Sequence, residues 1–217
     1  MLCGTNMTDI KISNRSAILR LLHEAGAMSR KQIAARLKLT PATITVIINE
    51  LMNESILVEG NSVPNAGTVG RREVMVEISR EKYVALGLAL SQGLVKFTVV
   101  NLHGEIIHEE TFKLPEILTP EYFAETIGRQ IQLKIASYGY SENFIIGMGI
   151  TVCGVVDFAN GIILDSDGIW EEKNVPIVKM FRKQFSFPVI VANNVRSYAN
   201  AYTFLQHDSQ LQNMLFI

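Results

Sequence analysis

Residues 29–57, SRKQIAARLKLTPATITVIINELMNESIL, limit the folds open to this chain more than any other stretch. Ser29 and Thr40 are both N-cap types, each placed just before an apolar-periodic run. Pro41 follows at a first helical position, where its missing N–H leaves no helical bond unmade. The pattern predicts a helix from Ser29 to about Leu37, a tight connection at Lys38–Leu39, and a second helix opening at Thr40. Ile33, Ala34, Leu37, Ile44, Ile47, Ile48 and Leu51 supply the inward faces. Any helical core holds such a pair, so the spacing alone does not specify a helix-turn-helix. Three neighbours add the specificity. They are an amphipathic helix over Asn14–Glu24 carrying Ile18, Leu19, Leu21 and Leu22, the closing segment Ile56–Leu57–Val58, and a basic loop beyond it. Together they predict a three-helix, winged arrangement.

A helix that enters the major groove reads base edges with its N-terminal residues, and short side chains allow close approach. Pro41, Ala42, Thr43 and Thr45 form that end of the second helix. The expectation is that Thr43 and Thr45 face base edges, while Ser29, Arg30 and Thr40 hold phosphates of an operator in double-stranded DNA. The wing is expected from Ile56–Glu59 and Glu73–Ile78, joined by GNSVPNAGTVGRR. Arg71 and Arg72 stand where a guanidinium reaches a phosphate or a narrow minor groove. Alternatively, the two arginines are a solvated hairpin edge that keeps the strand from pairing elsewhere.

The formal net charge of −1 suits a DNA binder only when it is divided along the chain. Residues 1–78 hold nine Lys/Arg against seven Asp/Glu, a balance of +2, and the remainder carries −3. So small an excess predicts modest, salt-sensitive binding by one copy and a need for pairing. Cys3 and Cys153 give neither a disulfide framework nor a metal-ligand spacing, and His23, His103, His108 and His207 are scattered. No cofactor is expected. No stretch approaches the roughly 18 apolar residues of a membrane span, and MLCGTNMTDIK lacks a leader pattern, so a cytoplasmic protein without membrane contact is expected.

Ser79–Lys82 reads as a polar hinge, which divides the chain into domains at 1–79 and 80–217. From Tyr83, period-two patterning predicts a three-strand meander. A helix over Pro120–Tyr138 carries Phe123, Ile127, Ile131 and Ile135 on one stripe. Phe144–Val152 reads as a strand covered on both faces, and Val155–Leu164 as a hairpin turning at Ala159–Gly161. A helix over Val175–Phe185, a strand at Val189–Ala192 and a helix over Val195–Gln206 complete a layered α/β pattern.

N-R-x-x-I-L-x-L-L at 14–22, S-R-x-x-I-A-x-x-L at 29–37, T-P-A-T-I-T at 40–45 and G-R-R at 70–72 resemble regulators of the ROK family (repressors, open reading frames, kinases). G-M-G-I-T-V-C-G-V-V-D at 147–157, D-G-I-W at 167–170 and P-V-I-V-A-N-N-V at 188–195 resemble the sugar-kinase-like domain of the same family. The resemblance runs from about residue 11 almost to the end. It implies an α/β protein with an N-terminal winged helix-turn-helix followed by a partial actin-like (ribonuclease H-like) α/β domain. It also implies a regulator, in the sense of a repressor, that binds operator DNA and answers to a sugar, sugar phosphate or partner protein.

Two departures bear on chemistry. Kinases of the family place an Asp in a D-x-G-x-T phosphate loop, and the matching stretch here is Leu88–Ala89–Leu90–Ser91–Gln92–Gly93. Their base is the Asp of an N-D-x-N motif, matched here by Asn193–Asn194–Val195–Arg196. Ala89 offers no carboxylate for Mg²⁺, and Asn194 accepts no proton at neutral pH. A regulator without catalysis is therefore expected, with a residual sugar kinase or a DNA-independent sugar-binding scaffold as the alternatives. Gly154, Asn193 and Asn194 are the candidate ligand contacts, although both asparagines also suit a helix cap. Trp170 suits a sugar face or a core anchor equally. The resemblance breaks off at Met214–Ile217, before the family's second lobe, which implies a truncated sensor domain and self-association to cover apolar surface.

Overall fold

The computed structural model describes residues 7–60, 73–115 and 119–206. The chain divides after Lys82 into two compact units, Met1–Lys82 and Tyr83–Ile217. Each has its own core. The sequence boundary at 79/80 lies three residues earlier.

The first unit runs α1 (Met7–Ala25), β1 (Met28–Ser29), α2 (Arg30–Leu37), α3 (Pro41–Asn53), β2 (Leu57–Glu59) and β3 (Met75–Ile78). The three short strands form an antiparallel sheet in the order β1-β3-β2, with Met28 opposite Val76 and Leu57 opposite Ile78. Ile18 and Leu22 of α1, Ile33 of α2, and Ile44, Ile48 and Leu51 of α3 bury against Leu57 and Val76 of the sheet. Their spacing of three and four residues is what lets three helices share one core. α1 begins seven residues before the expected Asn14. Its first turns are exposed and show no apolar stripe, so periodicity does not reveal them. They are held instead by ion pairs to α3, Lys11 to Glu50 at 2.8 Å and Arg15 to Glu54.

Both ends of the helix pair close by local bonds. Lys38 terminates α2 in the left-handed region with φ 53°, and Leu39 N donates to Ala34 O. After α3, Ile56 N donates to Leu51 O and Ser55 N to Met52 O, with Ser55 at φ 61°. That pairing is a Schellman closure, completed here by serine where glycine is usual. Arg71, Arg72 and the rest of the expected wing loop lie outside the described residues.

The second unit is built on a five-stranded sheet in the order β10-β7-β4-β5-β6. β4 (Val84–Ser91), β5 (Leu94–Asn101) and β6 (Ile106–Lys113) form the meander, and α4 (Pro120–Ser137) crosses over to β7 (Ile145–Val152). The hairpin β8 (Gly154–Asp157) and β9 (Ile162–Ser166) follows, then α5 (Ile177–Phe181), β10 (Val189–Asn193) and α6 (Asn194–Gln206). β4, β7 and β10 are parallel to one another, while β5 and β6 are antiparallel. Phe97, Phe123, Ile127, Ile131, Phe181 and Val191 lie at the centre of the core.

Two elements differ from expectation. β7 is covered on one face: Ile145, Met148, Ile150 and Val152 are buried, whereas Ile146 is exposed and the alternating positions are Gly147, Gly149 and Thr151. An apolar run with two glycines has little side chain to bury on its second face. The helix expected over Val175–Phe185 shrinks to Ile177–Phe181, because Val175 exchanges both backbone bonds with Ile163 and is thereby held extended. No helix among the described residues is long and apolar enough to cross a membrane.

Candidate functional site

Two places bring together the residues singled out above. The first is α3 and its cap. Thr40 Oγ1 accepts from Thr43 N at 3.2 Å and lies 2.8 Å from Thr43 Oγ1, so the two hydroxyls pair at the helix start. Thr45 Oγ1 donates to Pro41 O at 2.8 Å. Pro41, Ala42, Thr45, Val46 and Asn49 are exposed, whereas Thr43 is half-buried. The outward face is therefore Ala42, Thr45, Val46 and Asn49, one helical stripe. Val46 and Asn49 were not among the sequence candidates, and Val46 is 57% exposed.

Ser29 and Arg30 occupy other positions. Ser29 is 3% exposed, and its side chain completes a capping box: Gln32 N donates to Ser29 Oγ at 3.3 Å, while Ser29 N donates to Gln32 Oε1 at 2.8 Å. Arg30 Nη2 donates to Asn49 Oδ1 at 3.3 Å and approaches Met52 Sδ at 3.4 Å, while Nη1 lies 4.0 Å from Glu59. The guanidinium thus spans α2, α3 and β2. Lys31, Arg36 and Lys38 are the exposed cations of α2 and its closing turn. Short-side-chain motifs give no signal for them, because any solvated helix face carries such residues.

The second place is the carboxyl end of the parallel strands, where open α/β sheets take their ligands. β4 ends at Ser91, β7 at Val152 and β10 at Asn193. Asn193 Nδ2 donates to Gly154 O at 2.7 Å, and its Oδ1 accepts from Val195 N at 2.9 Å and Arg196 N at 3.4 Å. Asn194 Oδ1 accepts only from Val195 N, at 2.9 Å, among the bonds described. Gly154 has φ 135°, and a Cβ there would stand 2.1 Å from Asp165 O, so backbone closure alone requires glycine.

Residues distant in sequence join this end. Asp167 N donates to Cys153 O at 3.0 Å, and Cys153 Sγ lies 3.8 Å from Asp167 Oδ2. Gln92, from the β4–β5 turn, packs so closely on Gly168 that a Cβ would stand 2.0 Å from its Nε2. Ala89 sits inside β4 opposite Lys96 and Thr151. Trp170 is 7% exposed, with its ring centroid 5.4 Å from that of Phe123. It anchors the 167–170 loop in the core. Among the described residues, no group of three or more His, Cys, Asp or Glu side chains has the arrangement of a metal site.

The model of the ROK family matches residues 86–217, more than half of the chain, and a winged helix-turn-helix DNA-binding model matches residues 13–58. The chain belongs to the ROK family. This ROK chain is 28% identical over 196 residues to the DNA-binding transcriptional dual regulator NagC of Escherichia coli (strain K12), covering 90% of its own length and 47% of that protein. It is 25% identical over 195 residues to the xylose repressor of Caldicellulosiruptor bescii, covering 89% and 48%. The crystal structure of a ROK family transcriptional regulator, a homolog of the E. coli MLC protein, matches with a TM-score of 0.74 at 25% identity, over 91% of this chain and 50% of that one. The chain spans about half the length of the curated relatives it matches. The expected fold, a winged helix-turn-helix followed by an α/β domain of ROK type, is the fold observed.

Proposed function

We propose that this ROK chain is a transcriptional regulator of sugar metabolism, acting as a repressor in the cytoplasm. On this reading it binds operator DNA through its first unit, and a sugar or sugar phosphate tunes it through the second. The observation that carries the reading is the α3 surface: a helix closed by hydrogen bonds at both ends, whose exposed stripe holds no charge. Such a surface suits a major groove, where compact side chains allow close approach to base edges while charged residues nearby hold phosphates. Relatives described as a DNA-binding regulator and a xylose repressor support the same reading.

In this proposal Ala42, Thr45 and Val46 meet base edges with Pro41 beside them. Thr40 and Thr43 shape the helix start. Ser29 and Arg30 act by fixing α2 against α3, and Lys31, Arg36 and Lys38 approach phosphates together with Arg71 and Arg72. A balance of only +2 over residues 1–78 favours a pair of chains on two half-sites. The cluster at the strand ends, with Gly154, Asn193, Asn194, Gln92 and Asp167, is proposed as the ligand site. Asn194 is its most available amide, because Asn193 is held by three bonds.

Phosphoryl transfer is not proposed. With Ala89 and Asn194 at the two matched positions, the residues that would hold Mg²⁺ and take the hydroxyl proton have no carboxylate. The test is fluorescence anisotropy of the full chain with duplex DNA flanking its own gene, against random duplex of equal length. Tighter binding to the flanking DNA, shifted by one member of a sugar panel, is expected. Equal binding to both duplexes would remove the regulator reading, and sugar-dependent ATP turnover in a coupled assay would restore the kinase.

A further inference from the structure

We infer that α3 reads its half-site through apolar contact with thymine methyl groups, with Val46 as the central reader and Ala42 and Thr45 beside it. The inference rests on the DNA-binding reading and specifies what that surface recognises. α3 carries no Lys or Arg anywhere in PATITVIINELMN, so the helix lacks the donors that most often recognise guanine O6 and N7. The guanidinium that reaches the stripe, that of Arg30, directs its Nη2 to Asn49 and Met52 and its Nη1 toward Glu59.

The hydroxyls at the start of α3 are engaged within the helix and its cap. Thr45 donates its hydroxyl proton to Pro41 O at 2.8 Å, which commits that proton to the helix backbone and leaves the γ-methyl as the side chain's apolar group. Thr43 and Thr40 pair their hydroxyls with each other. Asn49 Oδ1 accepts from Arg30, so the residue cannot offer the acceptor of a bidentate adenine contact in this conformation. Its amide donor is satisfied by a purine N7 or by thymine O4 and discriminates little.

Val46 is then the residue that decides. It is a β-branched side chain in the middle of a helix, 57% exposed, where it neither favours the helix nor fills the core. Ala42 lies one turn before it and Asn49 one turn after it. Among the four bases only thymine presents a methyl group in the major groove, and Ala, Thr and similar apolar groups are its complement.

The experiment begins with selection of binding sites from a random duplex library by the full chain. Each half-site thymine is then replaced by deoxyuridine, which removes only the C5 methyl, and binding is remeasured at fixed salt. One or two adjacent replacements are expected to weaken binding roughly fourfold each, the scale of one methyl-sized group removed from water. Val46→Ala, which suits a helix better than valine, is expected to keep the melting temperature and to lose that sensitivity. Val46→Lys is expected to move the selected base at that step toward guanine. Deoxyuridine sites bound as well as thymine sites, or a Val46→Ala variant with the full penalty, would overturn the inference while leaving DNA binding intact. Failure to select any sequence above random duplex would overturn the DNA-binding reading, and this inference with it.

Discussion

Arg15 clamps Glu54 with both ends of its guanidinium, Nη1 donating to Oε1 at 2.9 Å and Nη2 to Oε2 at 2.5 Å. The bond ties the middle of α1 to the last turn of α3, beside the parallel pair Lys11–Glu50. Hydrogen bonding from Arg15 holds the Glu54 carboxyl below the usual carboxylate range, against the opposing effect of partial desolvation. A carboxyl depressed in the folded state contributes stability at neutral pH and loses it as pH falls through its lowered pKa. Arg15→Ala is therefore expected to lower the melting temperature of the first unit at neutral pH by a few degrees, about 0.5 kcal/mol for a pair this exposed. The deficit should shrink in acid below the ordinary carboxylate range. Circular dichroism melts of both proteins at neutral and acid pH check this, and a deficit independent of pH would assign Arg15 a packing role instead.

Asn193 and Asn194 are adjacent yet differ in how deeply they are tied into the fold. Asn193 links the end of β10 to Gly154 O and caps α6, whereas Asn194 accepts one bond from its own neighbour. Asn193→Ala is expected to cost about 1–2 kcal/mol, the sum of a lost cap and a lost tie between strands. Asn194→Ala should cost a few tenths of that yet reduce any sugar-induced rise in melting temperature. Denaturant midpoints with and without the sugar separate the two roles. Equal stability losses would contradict the structural distinction.

The helix pair was legible because its signals are local: Ser29, Thr40 and Pro41 announce the starts, and isoleucines at helical spacing announce the core. The first turns of α1 were not, since their holding force is ion pairs to residues about 39 positions away. β1 is two residues long and exists because Met28 and Ser29 pair with β3, a contact that no local pattern encodes. On α3, the short side chains of Thr43 and Thr45 pointed to close approach to base edges. The structure engages both hydroxyls in bonds with Thr40 and Pro41 and leaves Val46 exposed. At the strand ends, Gln92, Cys153, Asp167 and Asn193 come from four separate segments, so only the sheet order assembles them.

Gly154→Ala tests the hairpin closure. The residue has φ 135°, and a Cβ would meet Asp165 O at 2.1 Å, so strain and a backbone clash act together. A loss of about 2–3 kcal/mol is expected, at the upper end for a strained single residue. Trp170, the chain's one tryptophan, packs against Phe123 in the second unit, and its fluorescence follows that unit alone. The fluorescence transition should move to lower denaturant while affinity for DNA at low denaturant stays the same. An unshifted transition would mean that the hairpin relaxes around the added methyl.

Ser29 and Arg71 separate positioning from phosphate contact. Ser29 is buried and spends its hydroxyl on Gln32 N, so Ser29→Ala is expected to destabilise the first unit by about 1 kcal/mol. It removes no phosphate contact, and the dependence of affinity on salt should keep its slope wherever the variant remains folded. Arg71→Ala removes a cation from the expected wing. Its slope should fall by about one, with equal weakening on selected and random duplex. Salt titrations of both variants against wild type decide the matter. A reduced slope for Ser29→Ala would place its hydroxyl at the DNA backbone after all, and an unchanged slope for Arg71→Ala would leave that arginine as a solvated hairpin edge.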